Sequence, residues 1–148
     1  MLANYFGPNS IKVTSAELSF EDAVAQATGL LVLDQKATED YVHEVLSSLE
    51  ELGPYFVVAP QIAIAHSKPS TSVVTTGMAL LKLKSPCNSG SANDPVSLVF
   101  AFCSVNADDH LQLLAEFGEK LSSDSVMNSL LNASAESVIA EILFENQV

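Results

Sequence analysis

The sequence predicts an α/β protein, a single domain over residues 1–148 in which a mixed β-sheet is covered by helices. Two patterns support this prediction. Apolar residues at helical spacing occupy both ends of the chain, and segments rich in β-branched residues occupy the middle. A chain of 148 residues with 48% hydrophobic residues can bury one core. Strands flanked by helices in sequence favour a sandwich of the two.

Two helices are predicted before the strands. Ser19 begins the first, because a serine cap followed three residues later by Asp22 satisfies free backbone N–H groups. Thr38 begins the second, and Gly53-Pro54 ends it, since glycine favours the left-handed turn after a helix and proline cannot continue one. The apolar positions are Phe20, Ala23, Val24, Ala27 and Leu31, then Tyr41, Val42, Val45, Leu46, Leu49 and Leu52.

Strands and then three further helices are predicted from there on. The strand segments are 55–58, 62–65, 72–84 and 95–105, the last two separated by a small polar loop. Asn106 and Asp109 offer a cap for the next helix, and shorter helices are predicted at 124–131 and 134–144. The apolar stripe of the helix after Asn106 is Leu111, Leu113, Leu114, Phe117 and Leu121.

The charge of the chain limits its partners. A net charge of −12 and six lysines without an arginine disfavour binding to nucleic acid or to an anionic membrane. The same charge either steers in a basic protein partner or only keeps the protein soluble. No apolar run approaches the ~20 residues that a membrane-spanning helix needs, and the N-terminus lacks a signal-peptide pattern. We therefore expect a cytoplasmic protein without membrane insertion.

Two of the three histidines stand out. His66 follows the apolar segment 62–65 and precedes a small polar turn, so its ring should face a surface where sites are commonly built. His110 lies in the first turn of a predicted helix and shares a face with Leu114 and Phe117, which should turn its ring inward near free N–H groups. On position alone, each is also compatible with an ordinary loop or core-margin histidine. His43, one turn after Glu39, is expected to be solvated.

Other chemical signatures are missing or weak. The sequence has no GxxxxGKS phosphate loop, no HExxH and no GxSxG. Asp108, Asp109 and His110 do not converge on one point, because adjacent helical residues point in different directions. Cys87 and Cys103 have neither disulfide-scaffold nor CxxC spacing, and Cys103 reads as a buried free thiol.

A longer motif surrounds His66. Residues 53–69, GPYFVVAPQIAIAHSKP, resemble the active-site segment of the mannitol/fructose-type enzyme IIA family of bacterial sugar phosphotransferase systems. The similarity covers nearly the whole chain, and Asp109-His110-Leu111 corresponds to the family's second histidine. The Gly53-Pro54-Tyr55 start is closest to the ascorbate branch. Ala65 and Lys68 depart from the usual Pro and Arg, and segment 49–54 lacks the Arg-Glu pair of the mannitol and fructose branches.

The resemblance implies a phosphoryl relay that requires neither a metal nor an organic cofactor. His66 would accept the group from the histidine-containing phosphocarrier protein (HPr), helped by His110, with Ser67 and Lys68 as further phosphate-stabilising candidates. An enzyme IIB cysteine would then take the group and serve a membrane enzyme IIC that imports a sugar, ascorbate-like by the branch. One alternative is a regulatory enzyme IIA-like phosphoprotein that signals instead of feeding a transporter. Another, from a different class, is a small hydrolase with a metal between His66 and His110.

Overall fold

The computed structural model describes residues 2–144, in which five strands form one mixed sheet. The strand order is β1-β4-β5-β3-β2, with β1 parallel to β4, β3 parallel to β5, and the other two pairs antiparallel. This sheet and the helices around it confirm the predicted fold class. The strands are β1 (Ile11–Thr14), β2 (Val57–Ala59), β3 (Ile62–Ala65), β4 (Gly77–Cys87) and β5 (Val96–Cys103).

The helices begin and end with the predicted signals. The Ser19 hydroxyl accepts the Asp22 N–H at 3.1 Å, and the Asn106 side chain accepts the Asp109 N–H at 2.8 Å. Gly53 follows the second helix with φ at 76°, a region that favours glycine. Within residues 2–144, no helix is long and apolar enough to cross a membrane. The helices are α1 (Phe20–Leu33), α2 (Glu39–Leu52), α3 (Ala107–Leu121), α4 (Asp124–Asn132) and α5 (Glu136–Phe144), preceded by a 3₁₀ turn, Leu2–Tyr5.

The sheet separates two apolar cores. Because side chains alternate along a strand, Val99 and Ala101 of β5 pack toward α1 and α2, whereas Phe100 and Phe102 pack toward α3, α4 and α5. Cys103 is buried in the first core as a free thiol, as its apolar surroundings predict. The consequence for the site is that α2 packs in the core on one face of the sheet and α3 packs in the core on the other face.

Some expectations from the sequence were wrong in detail. Strand β1 was not predicted, because it is four residues long and pairs with β4, far away in sequence. The stretch before Gly77 forms turn contacts instead of a strand, and the Ser72 carbonyl accepts the Thr38 N–H at 2.9 Å. Leu111 is 67% exposed, since it lies about 200° around α3 from buried Leu113. Leu52 is 61% exposed at the last position of α2.

Candidate active site

The carboxyl ends of β3 and β5 place His66 beside an aromatic ring. The two strands are parallel, and their last pair joins Ala65 to Ala101. Strand alternation puts Ile64 and His66 on the α3 side of the sheet, where Phe102 also points. The imidazole of His66 stacks on the Phe102 ring with centroids 4.7 Å apart and planes 11° apart. The strand-end position therefore holds the histidine ring against a buried platform.

A backbone contact fixes the tautomer of His66. Its Nδ1 lies 3.0 Å from the carbonyl oxygen of Ile64, two residues earlier. A carbonyl only accepts hydrogen bonds, so Nδ1 carries the proton and Nε2 keeps its lone pair. Burial lowers the pKa of His66, the Ile64 bond opposes that shift, and nearby His110 adds to it. The neutral ring is thus favoured, with Nε2 as its basic nitrogen.

His110 approaches the same ring from α3. It lies in the first turn of that helix, and its ring centroid is 6.1 Å from that of His66 at an interplanar angle of 71°. It also packs edge-on against Phe102, with centroids 5.0 Å apart. Its Nδ1 is 3.3 Å from the hydroxyl of buried Ser104. The ring faces the sheet end, as its spacing to Leu114 and Phe117 predicts.

The four site residues predicted from the sequence line one shallow depression. His66 and His110 form one side, and Ser67 and Lys68 continue the chain beyond His66. Among the lining residues in the described part of the chain, Lys68 is the one cation and it is exposed. Sequence reasoning missed the rest of the lining, which comes from the end of α2 and the segment after it: Ser48, Glu51 and Tyr55.

The third histidine, His43, and the carboxylates next to His110 do not line this depression. His43 is exposed on α2 and lies with Glu21 and Glu50 beside another groove. Asp109 accepts a hydrogen bond from the Thr76 hydroxyl at 3.0 Å, and neither Asp108 nor Asp109 lines the depression with His110. Within residues 2–144, no three His, Cys, Asp or Glu side chains are grouped as metal ligands would be.

Tyr41 was missed as a site residue. Its side chain is fully buried, and its hydroxyl accepts the Ser67 N–H at 2.9 Å while lying 2.8 Å from the Phe102 carbonyl oxygen. Burial raises the pKa of Tyr41 well above its usual value. In the sequence this tyrosine looks like one more member of the apolar stripe of α2. No local signal reveals its bonds, because the partners lie 26 and 61 residues away.

Comparison with known proteins finds phosphotransferase enzyme IIA components among the relatives of this chain. The chain is 27% identical to the mannitol-specific cryptic phosphotransferase enzyme IIA component of Escherichia coli, over 96% of this chain and 97% of that protein. The solution structure of that enzyme IIA superposes with a TM-score of 0.88 over the same shares. An ascorbate-specific EIIA component of Shigella boydii is 34% identical over 105 residues, 70% of this chain and 68% of that protein.

A second solved structure shares the fold. It is the complex of the mannitol enzyme IIA with phosphorylated enzyme IIB from Escherichia coli, with a TM-score of 0.79, 21% identity, and coverage of 93% and 96% of the two chains. The profile of the family described as "Phosphoenolpyruvate-dependent sugar phosphotransferase system, EIIA 2" matches residues 4–146. The chain therefore belongs to this enzyme IIA family, whose members are phosphotransferases that carry a phosphoryl group in sugar transport.

Proposed function

We propose that this chain carries the phosphoryl group on Nε2 of His66. One observation supports the choice of atom above all others: the bond from Nδ1 to the Ile64 carbonyl, which leaves the Nε2 lone pair free. An unprotonated imidazole nitrogen is the nucleophile that phosphoryl transfer to histidine requires. Because burial lowers the pKa of His66, the ring is neutral and ready at pH 7 without a separate base.

The Ile64 carbonyl also has a part in the transfer itself. Nε2 attacks the phosphorus, and the bond from phosphorus to the donor's histidine nitrogen breaks, with no proton leaving His66. The His66 ring gains positive charge as the new bond forms, while Nδ1 keeps its hydrogen. A hydrogen bond from a charged donor is stronger than one from a neutral donor, so the Nδ1–Ile64 contact stabilises the product ring. The return transfer reverses these changes.

Neighbouring side chains are suited to the transferring group. The transition state is loose, and its charge spreads over the equatorial oxygens, so catalysis depends on position and hydrogen-bond donors. We assign His110 as a donor, since its ring lies edge-on to that of His66, both rings line the depression, and its Nδ1 is engaged by Ser104. The Ser67 hydroxyl and the Lys68 ammonium are further candidates. The Ser67 backbone N–H is already used by Tyr41 and is left out.

The family to which the chain belongs is the basis for the proposed partners. We propose that HPr, phosphorylated on its own histidine, is the donor and that an enzyme IIB cysteine, acting with a membrane enzyme IIC, is the acceptor. An enzyme IIA of the same fold has been solved with phosphorylated enzyme IIB, which supports the second pairing. The relay would work in the cytoplasm, with residues 1–148 acting as one domain. No cofactor is needed, because the phosphoryl group itself is the only group transferred.

An ascorbate-like sugar is the proposed cargo of the associated transporter. The ascorbate-specific relative is 34% identical over its matched residues, against 27% for the mannitol relative over a longer stretch. The Gly53-Pro54-Tyr55 segment resembles the same branch. Growth of a deletion strain on ascorbate tests this point, and unimpaired growth and uptake would assign another cargo.

Reconstitution of the relay tests the function. Incubation with phosphoenolpyruvate, enzyme I and HPr should add ~80 Da to the wild type, the mass of one phosphoryl group on a ring nitrogen. The adduct should be acid-labile and absent from His66→Ala. The variant His43→Ala, altered at an exposed histidine outside the depression, is the matched control and should be labelled normally. Persistent labelling of His66→Ala would contradict the proposal.

Further tests distinguish the carrier from two alternative functions. A labelled protein that passes no phosphoryl group to any enzyme IIB would favour a regulatory phosphoprotein. A gene neighbourhood with enzymes IIB and IIC would favour transport. A hydrolase with a metal between His66 and His110 requires bound metal, which elemental analysis of the purified protein measures. We favour the carrier because the chain matches the enzyme IIA family and because, within residues 2–144, no three His, Cys, Asp or Glu side chains are grouped as metal ligands would be.

A further inference from the structure

The strand ladder ends one residue before the catalytic histidine. Strands β3 and β5 pair through Ala65 and Ala101, and the chain after β3 then turns away from the sheet. His66 and Phe102, the next residues on the two strands, carry the stacked rings. The ring stack therefore depends on how the two backbones are held just beyond their last pair.

The hydroxyl of Tyr41 joins the two backbones at this point. It accepts the Ser67 N–H at 2.9 Å and lies 2.8 Å from the Phe102 carbonyl oxygen and 3.1 Å from the Ser67 carbonyl oxygen. A phenol has one proton, so it accepts from the Ser67 N–H and donates to one carbonyl at a time, and the shorter distance favours that of Phe102. The side chain comes from the first turn of α2, on the sheet face opposite α3, and is fully buried.

We propose that Tyr41 is a positioning residue for phosphoryl transfer, which fixes the spacing between the segment that carries His66 and the residue on which its ring stacks. This inference rests on the proposed function of His66. Tyr41 touches neither the imidazole nor the depression in which the phosphoryl group would lie. It acts through the backbone of Ser67, the residue after the nucleophile, and through that of Phe102.

The placement of Nε2 is sensitive to such a support. In-line transfer needs the nucleophile near 3–3.5 Å from phosphorus, and a displacement of ~1 Å can reduce a rate about 100-fold. The burial of Tyr41 keeps its hydroxyl protonated throughout the neutral range, so the donor to the Phe102 carbonyl is always present. Removing the hydroxyl leaves a buried N–H and a carbonyl to find new partners, which moves the segment after β3.

Tyr41→Phe tests the proposal, because it removes one oxygen and keeps the buried ring. Val45→Ala is the matched control, since Val45 is fully buried one turn further along α2 and has no polar atom in its side chain. Single-turnover transfer from phospho-HPr is measured against donor concentration for both variants. We expect the limiting rate of Tyr41→Phe to fall about tenfold or more, with the half-saturating donor concentration unchanged. Val45→Ala should keep the wild-type rate while losing thermal stability.

A second readout does not require phosphorylation. Nitrogen-15 NMR of the His66 ring reports how far the Nδ1–H tautomer is populated, and that population should fall in Tyr41→Phe and stay unchanged in Val45→Ala. A wild-type limiting rate and tautomer in Tyr41→Phe would overturn the inference while leaving His66 as the carrier. An equal rate loss in Val45→Ala would also overturn it, by assigning the effect to stability. If even the wild type were not phosphorylated, the proposed function would fail, and the tautomer comparison would still decide whether Tyr41 positions the ring.

Discussion

His66 lies face to face on Phe102, with ring centroids 4.7 Å apart and planes 11° apart. The stack joins the end of β3 to the end of β5 and shields one face of the imidazole from water. The Ile64 carbonyl contacts Nδ1, on one edge of the ring, so the lone pair of Nε2 is not used by this bond. The stack with Phe102 thus sets the orientation of the proposed nucleophile, and the Ile64 carbonyl sets its tautomer.

The first prediction concerns pH. Burial, reinforced by His110, outweighs the Ile64 bond and lowers the pKa of His66 below the ordinary 6.5. The folded ring therefore takes up a proton at a lower pH than the unfolded chain does. Phosphorylation of His66 should keep its full rate at pH 7 and decline only as the pH falls through the lowered pKa. The neutral His66 ring contributes its full stabilisation above pH ~6.5. This contribution is lost as the pH falls from there through the lowered pKa of the folded protein.

NMR titration of the His66 ring carbons measures this pKa directly. It should be compared with a rate profile in which enzyme I and HPr are kept in excess, so that only the last transfer is limiting. A midpoint for His66 above 6.5 would contradict the prediction, because it would mean that the protonated ring is favoured in the folded protein.

The second prediction concerns His110. His110→Ala should fold normally and should slow transfer between about 10- and 1000-fold, since one lost donor to the developing charge has an effect of that size. His110→Gln keeps an N–H donor and should recover part of the rate. Rapid-quench kinetics measures transfer from HPr and to enzyme IIB separately, and circular dichroism checks the fold. A wild-type rate in His110→Ala would leave this residue with a packing role against Phe102.

The third prediction concerns salt. The net charge of −12 should speed the approach of a basic HPr, and salt screens this effect over a Debye length of ~8 Å at physiological strength. Between low and moderate salt, the second-order rate constant for transfer should fall about threefold or more. The limiting rate at saturating HPr should not change, because steering acts only before the complex forms. A second-order rate constant that is independent of salt would mean that the charge serves solubility alone.

The fourth prediction compares a glycine that follows α2 with one inside α3. Gly53 has φ at 76° and ψ at −161°, a region that glycine alone adopts readily, so Gly53→Ala should lower the free energy of unfolding by about 1–3 kcal/mol. Gly118 lies within α3, and an added Cβ would meet nothing within 4 Å, so Gly118→Ala should raise it by about 0.5–1 kcal/mol. Urea denaturation measures both variants. Changes of the same sign would show that backbone conformation does not govern these positions.

Local sequence signals predicted the parts of the fold that local physics controls. The caps at Ser19 and Asn106 and the stop at Gly53 were confirmed, because each depends on neighbours within three or four residues. Strand β1 was missed because its pairing partner, β4, lies more than sixty residues later. Leu111 was wrongly assigned to the buried stripe, since an apolar residue in an amphipathic helix can also face solvent.

The candidate site likewise contains residues that local sequence signals predicted and residues that only the tertiary structure identifies. A strand followed by a polar turn identified His66, and a helix start identified His110, but only the family resemblance brought the two together. Their proximity arises from the parallel pairing of β3 with β5 and from the position of α3 on the Phe102 side of the sheet. Tyr41 and Ser104 act through hydroxyl groups whose partners are fixed by tertiary structure. Their roles could not be predicted from spacing.

The most direct test of the account locates the phosphoryl group on the ring. The protein, labelled with nitrogen-15 in histidine, is phosphorylated by phosphoenolpyruvate, enzyme I and HPr, and two-dimensional proton–nitrogen NMR then identifies the substituted nitrogen. We expect a single phosphohistidine at His66, with phosphorus on Nε2 and a hydrogen retained on Nδ1 by the Ile64 carbonyl. Phosphorus on Nδ1 of His66, or on His43 or His110, would contradict this prediction.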